Sequence, residues 1–260
     1  MAKKLNMKYL SSTSIVLIFA AFLFNACAVS KVESNSKPVT HELWDTLVQT
    51  YVTPEGKVDY QGFIKDSLKL NAYLDLLSAN HPNDKNWSAD ERLAYWINAY
   101  NAFTVKLIVD HYPTKSIKDI KKGIPFVSDV WEINFFEIEG KSYNLNDIEH
   151  GIIRKRFAEP RIHAACNCAS FSCPRLRNEA FTAVRLEEQL DDQMKGFINN
   201  KTKNKLDANN PKISKIFKWY GGDFKKTGKS VREFINQYAE VKINEGADFD
   251  YLDYIWTLNE

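Results

Sequence analysis

The stretch "RIHAACNCASFSCPRL" (161–176) holds three of the chain's four cysteines and one of its five histidines. Side chains of these types hold a metal, close a disulfide, or supply a nucleophile and its base. Zinc is the weakest of the three. Structural zinc sites favour two separated ligand pairs. Cys166 and Cys168, placed on a strand, share one face and leave His163 on the other. No metal and no other cofactor is expected. A Cys168–Cys173 disulfide would close the four-residue turn "ASFS" and suit an oxidising compartment. As an enzyme site, the stretch offers Cys173 as the nucleophile. Ser172-Cys173-Pro174 reads as a helix start, where backbone N–H groups and the helix dipole favour a thiolate. Cys168 is then a resolving or positioning neighbour. The candidate bases are His150, preferred because it lies off the buried face of its helix, and His163. His41, His81 and His111 read as surface or helix-end residues. Staple and nucleophile both stay open on these residues.

The elements that must position this stretch are mostly helical. "HELWDTLVQTYV" (41–52) puts Leu43, Leu47 and Val48 on one stripe, and residues 67–80 do the same with Leu70, Leu74 and Leu77. A helix over 88–112 opens with Ser88 and Glu91 in capping-box spacing and stops at Pro113. From Leu93 to Val109 it is apolar almost all round, which marks the centre of a fold. Asn98 and Asn101 sit on it as buried amides that either bond loop backbone or orient a ligand or a catalytic histidine. "NFFEIEGKSYNL" reads as a hairpin around Glu139-Gly140-Lys141, followed by a helix capped by Asn146. "RIHAACNC" reads as a β-type run. Then come a helix over 184–199, a short strand near 215–224 and a helix opened by Ser230 and Glu233. These elements predict one α+β domain over 41–260, mostly helical, with a central apolar helix and a small, largely antiparallel sheet.

The N-terminus predicts export. Lys3, Lys4 and Lys8 precede the apolar run "IVLIFAAFLF" (15–24) and then "NAC", the layout of a signal peptide over 1–26. The run is shorter than the ~20 residues of a membrane-spanning helix. "FNAC" resembles a bacterial lipobox, which implies a lipidated Cys27 and a membrane partner held through that lipid. Ala28, rather than Asp, points to the periplasmic face of the outer membrane. Residues 27–40 read as a flexible tether reaching about 20 Å. Removing 1–26 takes away three lysines and no acid, so the formal charge of +2 becomes −1. A near-neutral chain lacks the basic surplus of a nucleic-acid binder.

"YWINAYNAFTVKLIVDHYP", "YNLNDIEHGIIR", "RIHAACNCASFSCPRLRNEAF", "LDDQMKGFIN", "IFKWYGGDF" and "YIWTLN" together resemble the domain-of-unknown-function 547 (DUF547) family, in its order, between Trp44 and Asn259. The resemblance implies the fold and no activity. It matches a family histidine at His163 and two family cysteines at Cys168 and Cys173, and leaves Cys166 as a local variant. Ile255 stands where the family often has an aspartate. Family members of reducing compartments keep both cysteines, which argues against a pure staple. The function expected is an envelope lipoprotein that is a thiol-dependent hydrolase or acyl-transferase acting on a small-molecule or peptide substrate, or a non-catalytic lipoprotein with a Cys168–Cys173 disulfide. Cys27→Ser is expected to abolish labelling by a palmitate analogue and to release the chain from membranes; equal label in the mutant would end the lipid-anchor idea.

Overall fold

A computed structural model describes residues 33–120 and 129–260. The expected signal peptide, Cys27 and the first part of the expected tether lie outside the described residues. From Ser34 onward that segment is not a free tether. Ser34 Oγ donates to Glu139 and Ser36 Oγ to the His81 carbonyl. The Ser36 carbonyl accepts from Asn83, Asn86 and Trp87 at 2.9–3.0 Å.

The chain is a mostly helical α+β domain. Helices α1 (Glu42–Tyr51), α2 (Tyr60–Lys65) and α3 (Ser67–Ser78) come first. On α1 the buried stripe is Trp44, Leu47 and Val48; Leu43, expected there, is exposed. The indole has the larger apolar surface to hide, and it stacks on Tyr73 of α3 at 5.8 Å. Helix α4 (Ala89–Asp110) carries the expected capping box between Ser88 and Glu91. It is buried along nearly its whole length and packs against α2 and α3.

Strands β1 (Phe136–Ile138) and β2 (Lys141–Tyr143) form the expected antiparallel hairpin, with Glu139 and Gly140 at positive φ in its turn. The next helix differs from its expected form. Asn144, not Asn146, makes the reciprocal cap: its Oδ1 accepts from the Asp147 N–H at 2.8 Å, and Asp147 Oδ2 from the Asn144 N–H at 3.2 Å. Asp147–Ile153 is then a π-helix continued by α5 (Arg154–Arg156), and the Arg154 N–H bonds the Glu149 carbonyl five residues back. The wider turn buries Glu149 together with Ile148, Ile152 and Ile153.

"RIHAACNC" is one helical turn, α6 (Ile162–Ala165), entering extended backbone at Cys166, rather than a strand. All four residues of that turn are buried, and the Cys166 N–H closes it on the Ile162 carbonyl. Helix α7 (Leu186–Asn199) follows, then β3 (Lys212–Ile213). The strand expected near 215–224 is instead two short helices, α8 (Ile216–Trp219) and α9 (Gly221–Lys225). Ile216, Phe217 and Phe224 all enter one apolar cluster with Met194, Phe197 and Phe234. Alternation would have turned Ile216 and Phe217 to opposite sides. Helix α10 (Val231–Tyr238) has its expected Ser230–Glu233 capping box, and β4 (Asp250–Tyr251) pairs with β3 in parallel.

His111 bonds the Leu107 carbonyl at the end of α4. His81, expected at the surface, is buried between the Pro82 carbonyl and the Tyr143 hydroxyl. His41 bonds the Tyr73 hydroxyl at 2.8 Å, and burial pulls its pKa down to about 4. Unfolding restores the ordinary value near 6.5. The unfolded chain therefore takes up a proton between pH 6.5 and 4 that the folded chain refuses, so stability falls as pH falls through that window. His41 is expected to account for at most about 3 kcal/mol of this loss, and urea unfolding of His41→Gln across the window should show the slope reduced by that share.

Candidate functional site

A cavity of about 340 Å³ collects Glu149, His150, His163, Cys166, Cys168 and Cys173 with the aromatic side chains of Trp131, Trp219, Tyr220, Tyr254 and Trp256. All four residues expected to be catalytic line it, so His163 does not face away from the thiols. Asn98 and Asn101 do not line it. Each amide closes a two-bond clamp on backbone. Asn98 Nδ2 donates to the Phe181 carbonyl at 2.7 Å and its Oδ1 accepts from the Phe181 N–H at 3.0 Å. Asn101 Nδ2 donates to the Ala165 carbonyl at 3.0 Å and its Oδ1 accepts from the Asn167 N–H at 2.8 Å. Cys166 lies between those two bonds. The central helix thus holds the cysteine loop through one side chain, and Gln193 of α7 adds a bond to the Ala164 carbonyl.

No helix starts at Pro174; residues 173–178 form turn and coil. The support expected for a Cys173 thiolate is therefore missing, and burial pushes that thiol well up. Burial also raises Cys166. Cys168 is the exception. The hydrogen bond between the Cys168 and Cys173 sulfurs, 2.9 Å apart, lowers the Cys168 pKa, and the hydroxyls of Ser170 and Tyr254, each at 3.3 Å, add to the effect. Cys168 is also less buried than Cys166 or Cys173. The thiolate of this site belongs on Cys168, and no disulfide joins the three cysteines.

The histidines are set by Asp223 and Arg154, which the sequence did not single out. Asp223 Oδ2 accepts from His163 Nε2 at 2.9 Å and from Arg154 Nε at 2.5 Å, and Oδ1 from Lys226 Nζ at 2.8 Å. These bonds, that of His163 first, hold its carboxyl far below the usual range. His163 is buried against Tyr220, ring centroids 3.9 Å apart, and burial lowers its pKa, outweighing Asp223. A neutral imidazole that donates from Nε2 to a carboxylate keeps its lone pair on Nδ1. His150 is the reverse case. Arg154 Nη1 lies 2.7 Å from its Nδ1. A guanidinium has no acceptor, so Nδ1 accepts and the proton sits on Nε2. His163 is therefore the proton acceptor and His150 a hydrogen-bond donor. These tautomers follow from the bonding partners.

A family model described as a protein of unknown function, DUF547, matches residues 85–198. Residues 85–198 are similar to that family. That segment runs from before α4 almost to the end of α7 and contains Asn98, Asn101, Glu149, His150, His163 and the three cysteines. Asp223, Tyr220, Tyr254, Trp219 and Trp256 lie beyond it. Comparison with curated proteins and with solved structures gave no match. Glu149, which the sequence did not single out, is buried and hydrogen-bonded to Tyr220; its place beside His150 was the available signal. Asp223 was visible only within "YGGDF".

The two clamps separate stability from site geometry. Asn98→Ala and Asn101→Ala are each expected to cost ~1–3 kcal/mol, because buried backbone groups lose their partners. Only Asn101→Ala should change the alkylation rate of Cys168 in the folded protein, measured in parallel with urea unfolding.

Proposed function

We propose that the chain is a thiol-dependent hydrolase or acyl-transferase with Cys168 as nucleophile and His163 as base. The observation that carries this reading is the convergence, in one cavity, of a thiol with a lowered pKa and a neutral histidine held in one tautomer by a buried aspartate. In this mechanism the Cys168 proton passes to His163 Nδ1 and the thiolate attacks an acyl carbonyl. The imidazolium returns the proton to the leaving group and a thioester remains. Water or a second acceptor then gives a proton to the same nitrogen as its oxygen or nitrogen attacks the thioester, and Cys168 is regenerated. His150 Nε2–H suits the developing oxyanion. The preference for His150 as base gives way because Arg154 occupies its free lone pair.

The lipobox-like "FNAC" supports a bacterial lipoprotein anchored at Cys27 in the cell envelope, facing the periplasm from the outer membrane, and the proposal includes this location. A second reading has its own support. The Sγ atoms of Cys168 and Cys173 are in contact, so an oxidising compartment could close them into a disulfide in a non-catalytic protein. Iodoacetamide labelling mapped by mass spectrometry separates the two. Cys168 is expected to react with a midpoint below the ~8.5 of a free thiol, and Cys173→Ala should move that midpoint up by removing the hydrogen bond between the two sulfurs. A quantitative Cys168–Cys173 disulfide that resists mild reductant would sink the catalytic reading.

A further inference from the structure

Next to the thiol, the cavity carries an aromatic rim for which the proton chemistry has no use. Tyr254 connects the two: its hydroxyl lies 3.3 Å from Cys168 Sγ, and its ring packs at 4.8 Å on Trp219 and 4.6 Å on Trp256. Trp131 meets Trp256 at 5.5 Å. Trp219 and Trp256 lie within 24° of parallel. Trp219 is 48% exposed, an expensive place for an indole unless something covers it. The rings pack on one another, so they form a platform rather than an empty cage.

The charges around the platform narrow what it takes. Lys118 Nζ sits 4.1 Å from the Trp256 ring centre, where a cationic ligand would bind. A cation is therefore excluded by an internal one. Among the described residues, Asp129 and Glu149 also line the cavity, two carboxyl groups against that single ammonium, and they oppose an anion. A purely apolar chain would desolvate Asp129 and the Asn146 amide without replacing their hydrogen bonds. What remains is a neutral ligand with a flat C–H face for the indoles and hydroxyls at its edge for the carboxylates, the amide and Lys118. The negative faces of aromatic rings attract such C–H groups.

We propose that this rim is a subsite for a neutral pyranose ring, so that the substrate of the thiol site is an acyl ester of a sugar. The substrate class rests on the acyl-transfer reading above; the subsite itself does not. All but Trp131 of the rim's aromatic side chains lie beyond the matched residues 85–198.

Calorimetric titration of the full chain tests it, with maltotriose, cellotriose and chitotriose as probes and decanoate and choline as counter-probes. At least one trisaccharide should bind saturably. Trp219→Ala should weaken that binding tenfold or more, Trp219→Tyr should restore most of it by returning a ring face, and Cys168→Ser should leave it unchanged. Near-ultraviolet circular dichroism confirms that each variant is folded. Absence of binding by all three sugars would overturn the subsite, as would Trp219-dependent binding of decanoate or choline in their place. Sugar binding together with an unreactive, disulfide-locked Cys168 would strike the acyl-transfer reading and leave the subsite standing.

Discussion

A buried carboxylate must be answered by donors, and at Asp223 they arrive from three directions in the chain. Arg154 comes from the short helix that continues the π-helix, His163 from α6, and Lys226 from the residue after α9. Removing any donor leaves charge in a poorly hydrated place, which is far costlier than losing a surface pair. The ion network therefore fixes how segments distant in sequence meet, and the cavity is the space they enclose. The same network assigns proton positions on both histidines. One arginine, by touching Asp223 with Nε and His150 with Nη1, turns two residues of the same type into an acceptor and a donor.

The second constraint is the absence of a polar face on α4. A helix buried all round has no solvent to satisfy its amide side chains, so Asn98 and Asn101 must spend their hydrogen bonds on neighbouring backbone. They reach segments 83 and 64–66 residues away. Asn101 is the more consequential because its two partners flank Cys166. The thiol loop is held by the hydrophobic centre of the domain rather than by a helix of its own.

Much of this was legible in the sequence, and the failures share a cause. Both capping boxes, the hairpin, the long central helix and its two buried amides follow from local spacing, and all are present. The errors came where burial on more than one side replaced a simple period. Ile162–Ala165 and Ile216–Trp219 are short turns surrounded by core, and their apolar runs carry no phase to separate strand from helix. The π-turn is similar: burying Glu149 beside Ile148 and Ile152 takes a wider turn than the 3.6-residue rule supplies. The cavity's cysteines and histidines were recognisable by type and clustering. Their proton states were not: Asp223 acts on His163 across 60 residues of sequence, and Arg154, four residues from His150, is itself bonded to Asp223 across 69. The helix dipole that Ser172-Cys173-Pro174 suggests does not exist at Cys173. Cys168 has the lowered pKa because its sulfur shares hydrogen bonds with one thiol and two hydroxyls.

The Ser36 carbonyl, gripped by Asn83, Asn86 and Trp87, lies at one end of a mechanical path. Those three residues stand immediately before Ser88, the cap of α4. Tension arriving along the upstream chain would be delivered there, in shear across several hydrogen bonds at once, rather than to α1, which follows Ser36 directly in sequence. The helix that receives the load is the one whose Asn101 grips the cysteine loop. One helix thus lies between the bonds that hold the Ser36 carbonyl and the bonds that hold the cysteine loop.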